Sequence, residues 1–137
     1  MDLQIDIVTP ERQAFSGRAT QVVVPGWEGQ FGVLPQHENF LALVKAGVAS
    51  VFTTDGERRY VIGRGFAEVT STTGKGTSET KVTLLTEACE LVSTIDKDKA
   101  RAELAAAQKA VSDAEMGSER WRVAQARIEL AQARVDA

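Results

Sequence analysis

One histidine and one cysteine in 137 residues limit the chemistry open to this chain. His37-Glu38 starts like the zinc-protease pattern, which needs a second histidine four residues on, but position 41 is Leu. A structural zinc site would also lack ligands, since such sites are built from several Cys and His side chains. Gly63-Arg64-Gly65 begins like a dinucleotide fingerprint, yet Phe66-Ala67-Glu68-Val69 after it reads as a strand and the third glycine is missing. Gly74-Lys75-Gly76-Thr77 contains a Gly-Lys pair without the P-loop spacing, and a flexible hairpin loop over Ser71–Thr80 is the expected element. The serines and threonines have only His37 to serve as base, so no nucleophile–base–orienter set emerges. Cys89 is open to two readings, a buried inert thiol or a reactive one, and the first is commoner for a lone cysteine. The chain reads as no enzyme by itself, with no cofactor and no metal site.

Binding is the better class to pursue, and the run from Val24 to His37 (VPGWEGQFGVLPQH) is where it concentrates. Gly26, Gly29 and Gly32, Pro25 and Pro35, and the single histidine all fall within it. Glycine supplies positive φ and proline fixes φ, so such a run specifies one loop shape, flanked by β-branched, strand-like segments. Shaped loops on rigid sheets commonly present something to a partner. For His37 two readings stand: a loop histidine bonded to nearby backbone, or a residue on the face offered to a protein.

The elements that must hold this loop change character near residue 94. All three prolines, all five phenylalanines and every glycine except Gly117 precede it. Leu3–Val8, Ala19–Val24, Gly47–Thr53, Arg58–Ile62, Phe66–Thr70 and Lys81–Leu85 read as short strands, with Asp55-Gly56 as a turn. Many short strands with Gly/Pro turns predict a sandwich or barrel. Beyond residue 94 the chain is rich in Ala, Glu, Arg and Lys, with Trp121 its only aromatic residue. Ser93 or Thr94 can cap a first helix, with Asp96 and Asp98 in its opening turn and a stripe of Ala100, Leu104, Ala107, Val111 and Ala114. Gly117 can end it, Ser118 can cap a second, and Trp121, Ala124, Ile128, Ala131 and Val135 form the facing stripe. Together these predict an antiparallel helical hairpin over 95–137 appended to a β domain over 1–94. Alanine buries little area, so the seam is weak and the hairpin is held loosely; a permanently docked hairpin is the alternative.

Composition narrows the partners. Charged residues make up 26% and the net charge is −3, which suits a folded protein and argues against nucleic acid. The apolar stretch Phe40–Val44 is far too short to enter and cross a bilayer. Leu3-Gln4-Ile5-Asp6-Ile7 alternates like a strand and does not read as a signal peptide, and one cysteine fits a reducing compartment.

Gly29-Gln30-Phe31-Gly32-Val33-Leu34-Pro35-Gln36-His37, with Gly47 opening the next strand, resembles the signature of the epsilon subunit of the F-type rotary ATP synthase. Ile7-Val8-Thr9-Pro10-Glu11-Arg12, Gly65-Phe66-Ala67-Glu68-Val69 and Leu84-Leu85-Thr86-Glu87-Ala88 extend the resemblance over nearly the whole chain. It implies an α+β protein: a ten-stranded N-terminal β-sandwich followed by a C-terminal antiparallel two-helix hairpin. It also implies a non-catalytic rotor subunit at the cytoplasmic face of the bacterial plasma membrane, coupling proton-driven ring rotation to ATP synthesis. The implied partners are the gamma subunit and the c-ring, with Gly29, Gln30, Phe31, Gly32, Pro35 and His37 on the ring-facing loop. Gln30 stands where the family often has Glu.

In many family members the hairpin extends into the catalytic head and slows ATP hydrolysis. The resemblance then offers Arg101, Lys109, Arg120, Arg122, Arg127 and Arg134 to acidic residues of the alpha and beta subunits; a solvated charged face is the alternative for each. Some members bind ATP through an Ile-Asp-x-x-Arg-Ala motif. The matching run is Ile95-Asp96-Lys97-Asp98-Lys99-Ala100, with Lys99 in place of Arg, while Glu90 and Arg134 match other positions of that site. Lysine keeps the charge and loses the bidentate fork, and the site's last arginine is not reached, so weak ATP binding or none is expected. Ser71–Thr80 reads as a mobile insertion without a binding role. A competing class is a free-standing sandwich module whose helical tail oligomerises, which predicts a stable homo-oligomer rather than a monomer.

Overall fold

Strict alternation makes β1 (Leu3–Val8): Leu3, Ile5 and Ile7 are fully buried on one face, while Gln4 and Asp6 take the other. The computed structural model describes residues 2–74 and 77–137, with the side chains of 73–77 left aside. After β1 come β2 (Gln13–Ala19), β3 (Gln21–Gly26), β4 (Gly29–Val33), β5 (Phe40–Val44) and β6 (Gly47–Thr53). They continue as β7 (Gly56–Ile62), β8 (Gly65–Gly74), β9 (Thr77–Thr86) and β10 (Cys89–Leu91). Two helices follow, α1 (Lys97–Asp113) and α2 (Glu119–Asp136).

The strands form one sheet in the order β10-β7-β6-β3-β5-β8-β9-β1-β2, with β4 attached to β3. Among the described residues only β1 and β9 pair in parallel. The sheet turns over on itself at β3, where Gln21–Val23 pair with β6 and Gly26 alone pairs with Val44 of β5. The inner faces close over a core that includes Leu3, Ile5, Ile7, Val22, Val24, Val51, Ile62, Val69, Val82 and Leu84. This is the ten-stranded sandwich that the resemblance implies.

Direct reading of the residues found fewer strands, and the misses have causes. β4 carries Gly29 and Gly32 and reads as loop; β10 spans three residues; β2 lacks a clear apolar alternation. Ala19, expected to start a strand, instead ends β2. Ser71–Thr80, expected as a flexible loop, is strand on both sides, paired from Ser71↔Thr80 to Gly74↔Thr77. Polar Ser and Thr suit a pleat exposed on one face, which composition alone cannot distinguish from a loop. Lys75 and Gly76, at the centre of the Gly-Lys motif, lie outside the described residues.

The first helix is capped neither by Ser93 nor by Thr94. Asp96 caps it: its Oδ1 accepts from Asp98 N and Lys99 N, each at 3.1 Å. Val92–Thr94 instead forms a short 3-10 turn. The helix ends at Asp113, short of Gly117, whose φ of +84° belongs to the connecting loop. Ser118 caps α2 as expected, its Oγ accepting from Trp121 N at 3.2 Å. The buried positions of the two helices are all alanines: Ala100, Ala107, Ala124, Ala131 and Ala133. Val61, whose neighbours Tyr60 and Ile62 belong to the core, is fully buried on the opposite face, where α2 lies against β6 and β7. The hairpin is therefore docked on the sandwich.

Candidate docking surfaces

Three surfaces concentrate polar or apolar groups that a partner could use. The first is the outer face of β5, β8, β9 and β1. Register places Leu43 opposite Phe66, Phe66 opposite Leu85, and Leu85 opposite Val8, so an apolar row crosses four strands. Phe66 is 49% exposed and Leu43 is 53% exposed. Trp27 joins the row, its backbone N–H donating to Leu43 O at 3.1 Å. Together with Pro10, Arg64 and Glu87 these residues line a groove of about 620 Å³. Covering such side chains gains roughly 25 cal/mol per Å² of apolar area, so exposing a row of them favours a partner that would bury it.

Gly65 makes this face possible. A Cβ there would lie 1.8 Å from Leu85 O, so the glycine of the Gly63-Arg64-Gly65 motif serves strand packing. The sequence reading missed the row, although a signal was present. Phe40-Leu41-Ala42-Leu43-Val44 and Leu84-Leu85 put apolar residues on both faces, as strands covered on both sides do.

The second surface is the connection around the expected ring-facing residues, and part of it needs correcting. Gly29, Gln30, Phe31 and Gly32 lie in strand β4, joined to β3 by the tight turn Trp27-Glu28, with Gly29 at φ +127°. Only Leu34–Asn39 is loop, and it contains Pro35 and His37. His37 N donates to Leu34 O at 3.2 Å, and Gln36 adopts a positive φ of 70°, uncommon outside glycine. The backbone-bonded reading of His37 is met: its Nδ1 lies 2.7 Å from Glu38 O, and the ring packs edge-on to Phe40. Phe40 in turn meets Phe31 of β4, ring centroids 5.3 Å apart.

The third surface is the cleft at the base of the hairpin. Glu90, Ile95, Asp96, Lys99, Ala100 and Arg134 all line it, joined by Thr94 and Glu103, around about 200 Å³. The resemblance thus points to six residues that do come together. It did not find Glu103, which changes the electrostatics. Arg134 Nη1 donates to Glu103 at 2.9 Å and Nη2 donates to Glu90, so two carboxylates already hold the guanidinium. Its Nε is buried without a hydrogen-bond partner among the described residues. Beside the cleft, Lys97 Nζ donates to the carbonyls of Arg134 and Val135, both at 2.9 Å, which neutralises the C-terminal end of α2. Arg64 of the β7–β8 turn reaches Glu129 of α2 at 2.5 Å. The remaining hairpin cations, Arg101, Lys109, Arg120, Arg122 and Arg127, are exposed, and Arg101 pairs with Asp98 at 2.9 Å.

Cys89 resolves in favour of the inert reading. It is 5% exposed in the core, and burial pushes its thiol up to about 11, so it is protonated at neutral pH.

Comparison with known proteins agrees with this architecture. Residues 2–92 match the family described as the β-sandwich domain of the ATP synthase delta/epsilon chain. The ATP synthase epsilon chain of Maricaulis maris is 40% identical over 86% of this chain and 83% of its own length. That of Myxococcus xanthus is 33% identical over 98% of this chain and 93% of its own. A similar fold occurs in the Euglena gracilis mitochondrial ATP synthase, solved with OSCP, F1 and the c-ring in rotational state 1. There the TM-score is 0.77 at 20% identity, over 96% of this chain and 78% of the other.

Proposed function

Because the chain belongs to the ATP synthase epsilon chain family, we propose that it docks its apolar sheet face on the gamma subunit and turns its Leu34–Asn39 loop towards the c-ring. It is a non-catalytic subunit of that complex, and we read it as a part of the central stalk. The observation that carries the docking reading is the uncovered row Leu43–Phe66–Leu85, which no other described residue covers. A rotor part must transmit torque without slipping, and a broad apolar contact on a rigid sheet supplies that. No helix among the described residues is long and apolar enough to cross a membrane. We infer that the subunit attaches peripherally, on the cytoplasmic face of the bacterial plasma membrane, with the proton as coupling ion.

The hairpin over 95–137 is read as the regulatory part and the sandwich over 1–94 as the anchor. A seam whose fully buried residues are alanines leaves a small packing difference between docked and extended hairpins, as a two-state element requires. On extension Arg101, Lys109, Arg120, Arg122 and Arg127 would meet the alpha and beta subunits, and Arg134 would join them once released from Glu90 and Glu103. The test compares the full chain with one ending at Thr94, each added to an epsilon-free catalytic head containing gamma. Both are expected to co-elute, and only the full chain to slow hydrolysis. Loss of co-elution for both would overturn the gamma-docking reading.

For ATP, the hairpin cleft is a poor receptor. Glu90 and Glu103 would repel phosphates and already occupy Arg134, and Lys99 offers a point charge instead of a fork. Isothermal calorimetry on the full chain is expected to give a Kd weaker than about 1 mM. Submillimolar binding would contradict this reading of the cleft.

A further inference from the structure

We infer that Ser71 and Thr80, a cross-strand pair of the β8–β9 hairpin, are positioning residues that hold the Leu34–Asn39 loop in its docking shape. The inference rests on the reading of that loop as a ring contact. Register places Ser71 directly opposite Thr80. Their hydroxyls are 2.9 Å apart, and Thr80 is only 1% exposed. From this rung three bonds reach the loop. Gln36 N donates to Thr80 Oγ1 at 2.7 Å, Ser71 Oγ donates to His37 O, and Ser71 N donates to Asn39 Oδ1 at 2.8 Å.

Gln36 is also the one non-glycine residue with positive φ among the described residues. That conformation costs free energy and persists only where surroundings impose it. The Thr80 hydroxyl accepts the very N–H that this conformation directs inward. Replacing it by a methyl would leave that N–H without a partner, so the loop would relax to another shape. A stretch whose composition suggested an idle insertion is thus the platform on which the loop is set. Sequence separation explains why it was hidden: the two ends of each bond lie 32 to 44 residues apart.

The test uses the full chain with two receptors, gamma alone and gamma assembled with the c-ring. The wild type is expected to bind the second more tightly, and this increment is the readout. Thr80→Val should bind gamma alone as the wild type does and lose the increment by roughly ten-fold. Ser71→Ala should lose a similar amount, and Thr80→Ser, which restores a hydroxyl, should recover most of it. Hydrogen exchange at the Gln36 amide should accelerate in Thr80→Val and not in Thr80→Ser, a local readout that does not depend on overall stability. Leu34→Asp, on the exposed loop tip, separates the two readings. If it abolishes the increment while Thr80→Val and Ser71→Ala keep it, the positioning role is wrong and the ring contact stands. If Leu34→Asp also leaves the increment intact, or the wild type shows none, the ring-contact reading fails and this inference falls with it.

Discussion

Leu43→Asp is expected to abolish co-elution with the gamma subunit while the sandwich remains folded. Leu43 lies at one end of the apolar row, opposite Phe66 and bonded through its carbonyl to Trp27 N–H. Half of the side chain is already in water, so the free protein loses little on substitution. In the docked state the same position is covered, and a carboxylate there must shed its hydration. An uncompensated buried charge costs about 3–5 kcal/mol, which corresponds to at least a hundred-fold loss of affinity. An exposed ion pair with the nearby Lys45 would be worth under about 1 kcal/mol and cannot offset that. Phe66→Ala, which removes contact area without adding charge, should weaken binding by roughly ten-fold or more. The thermal midpoint of each variant, measured beside its affinity, separates the effects. Unchanged affinity in both variants would move the gamma contact off this face.

The same residues show how far the sequence could be read. Periodicity located β1 and β6 because each has one face in the core and one outside, whereas β7 was marked by the Asp55-Gly56 turn before it and buries Tyr60, Val61 and Ile62 in succession. It failed for β4, whose glycines hide the alternation although it pairs with its neighbour β3, and for β10, which is three residues long and pairs with β7, remote in sequence. The hairpin was legible, since capping and heptad spacing are local. The details at its ends were not, because Asp96 outcompetes Thr94 as cap and Thr94 Oγ1 turns back to Leu91 O at 2.7 Å. The cleft residues were legible through the resemblance to a family motif, whereas Glu103 lies one helical turn beyond Lys99 and outside that motif. Docking surfaces were least legible. Phe66 in a strand looks like core until the register shows that Ala67 and Val69 take the inward face. Ser71 and Thr80 look like loop until pairing brings them beneath Gln36.

Arg134→Ala should release the hairpin from the sandwich. The fully buried residues of the seam between α1 and α2 are alanines, and Val61 is fully buried on the face of β6 and β7 against which α2 lies. Little apolar area is at stake, so polar contacts carry an unusual share of the docking. Arg134 belongs to α2 and ties two other elements at once, Glu90 on β10 and Glu103 on α1, with its side chain 21% exposed. Removing it discards both charge-assisted bonds and leaves two carboxylates facing each other across a cleft without their cation. A loss of about 2 kcal/mol follows, a shift of roughly thirty-fold in the docking equilibrium. Hydrogen exchange reads this directly. Amides of α1 and α2 should lose protection by about that factor, while those of β1 and β9, remote in the sheet, keep theirs. Arg134→Lys, which retains charge without the fork, should fall between the two. Within the assembled head the same release favours the extended hairpin, so Arg134→Lys, which loosens the tie and keeps a cation for the alpha and beta subunits, should slow ATP hydrolysis by the complex more than the wild type does. Faster exchange with unchanged hydrolysis would mean that docking is weak and inhibition does not depend on it. Unchanged exchange would show that the alanine seam holds alone, and the regulatory equilibrium would then have to be set by the partner subunits instead of by this cluster.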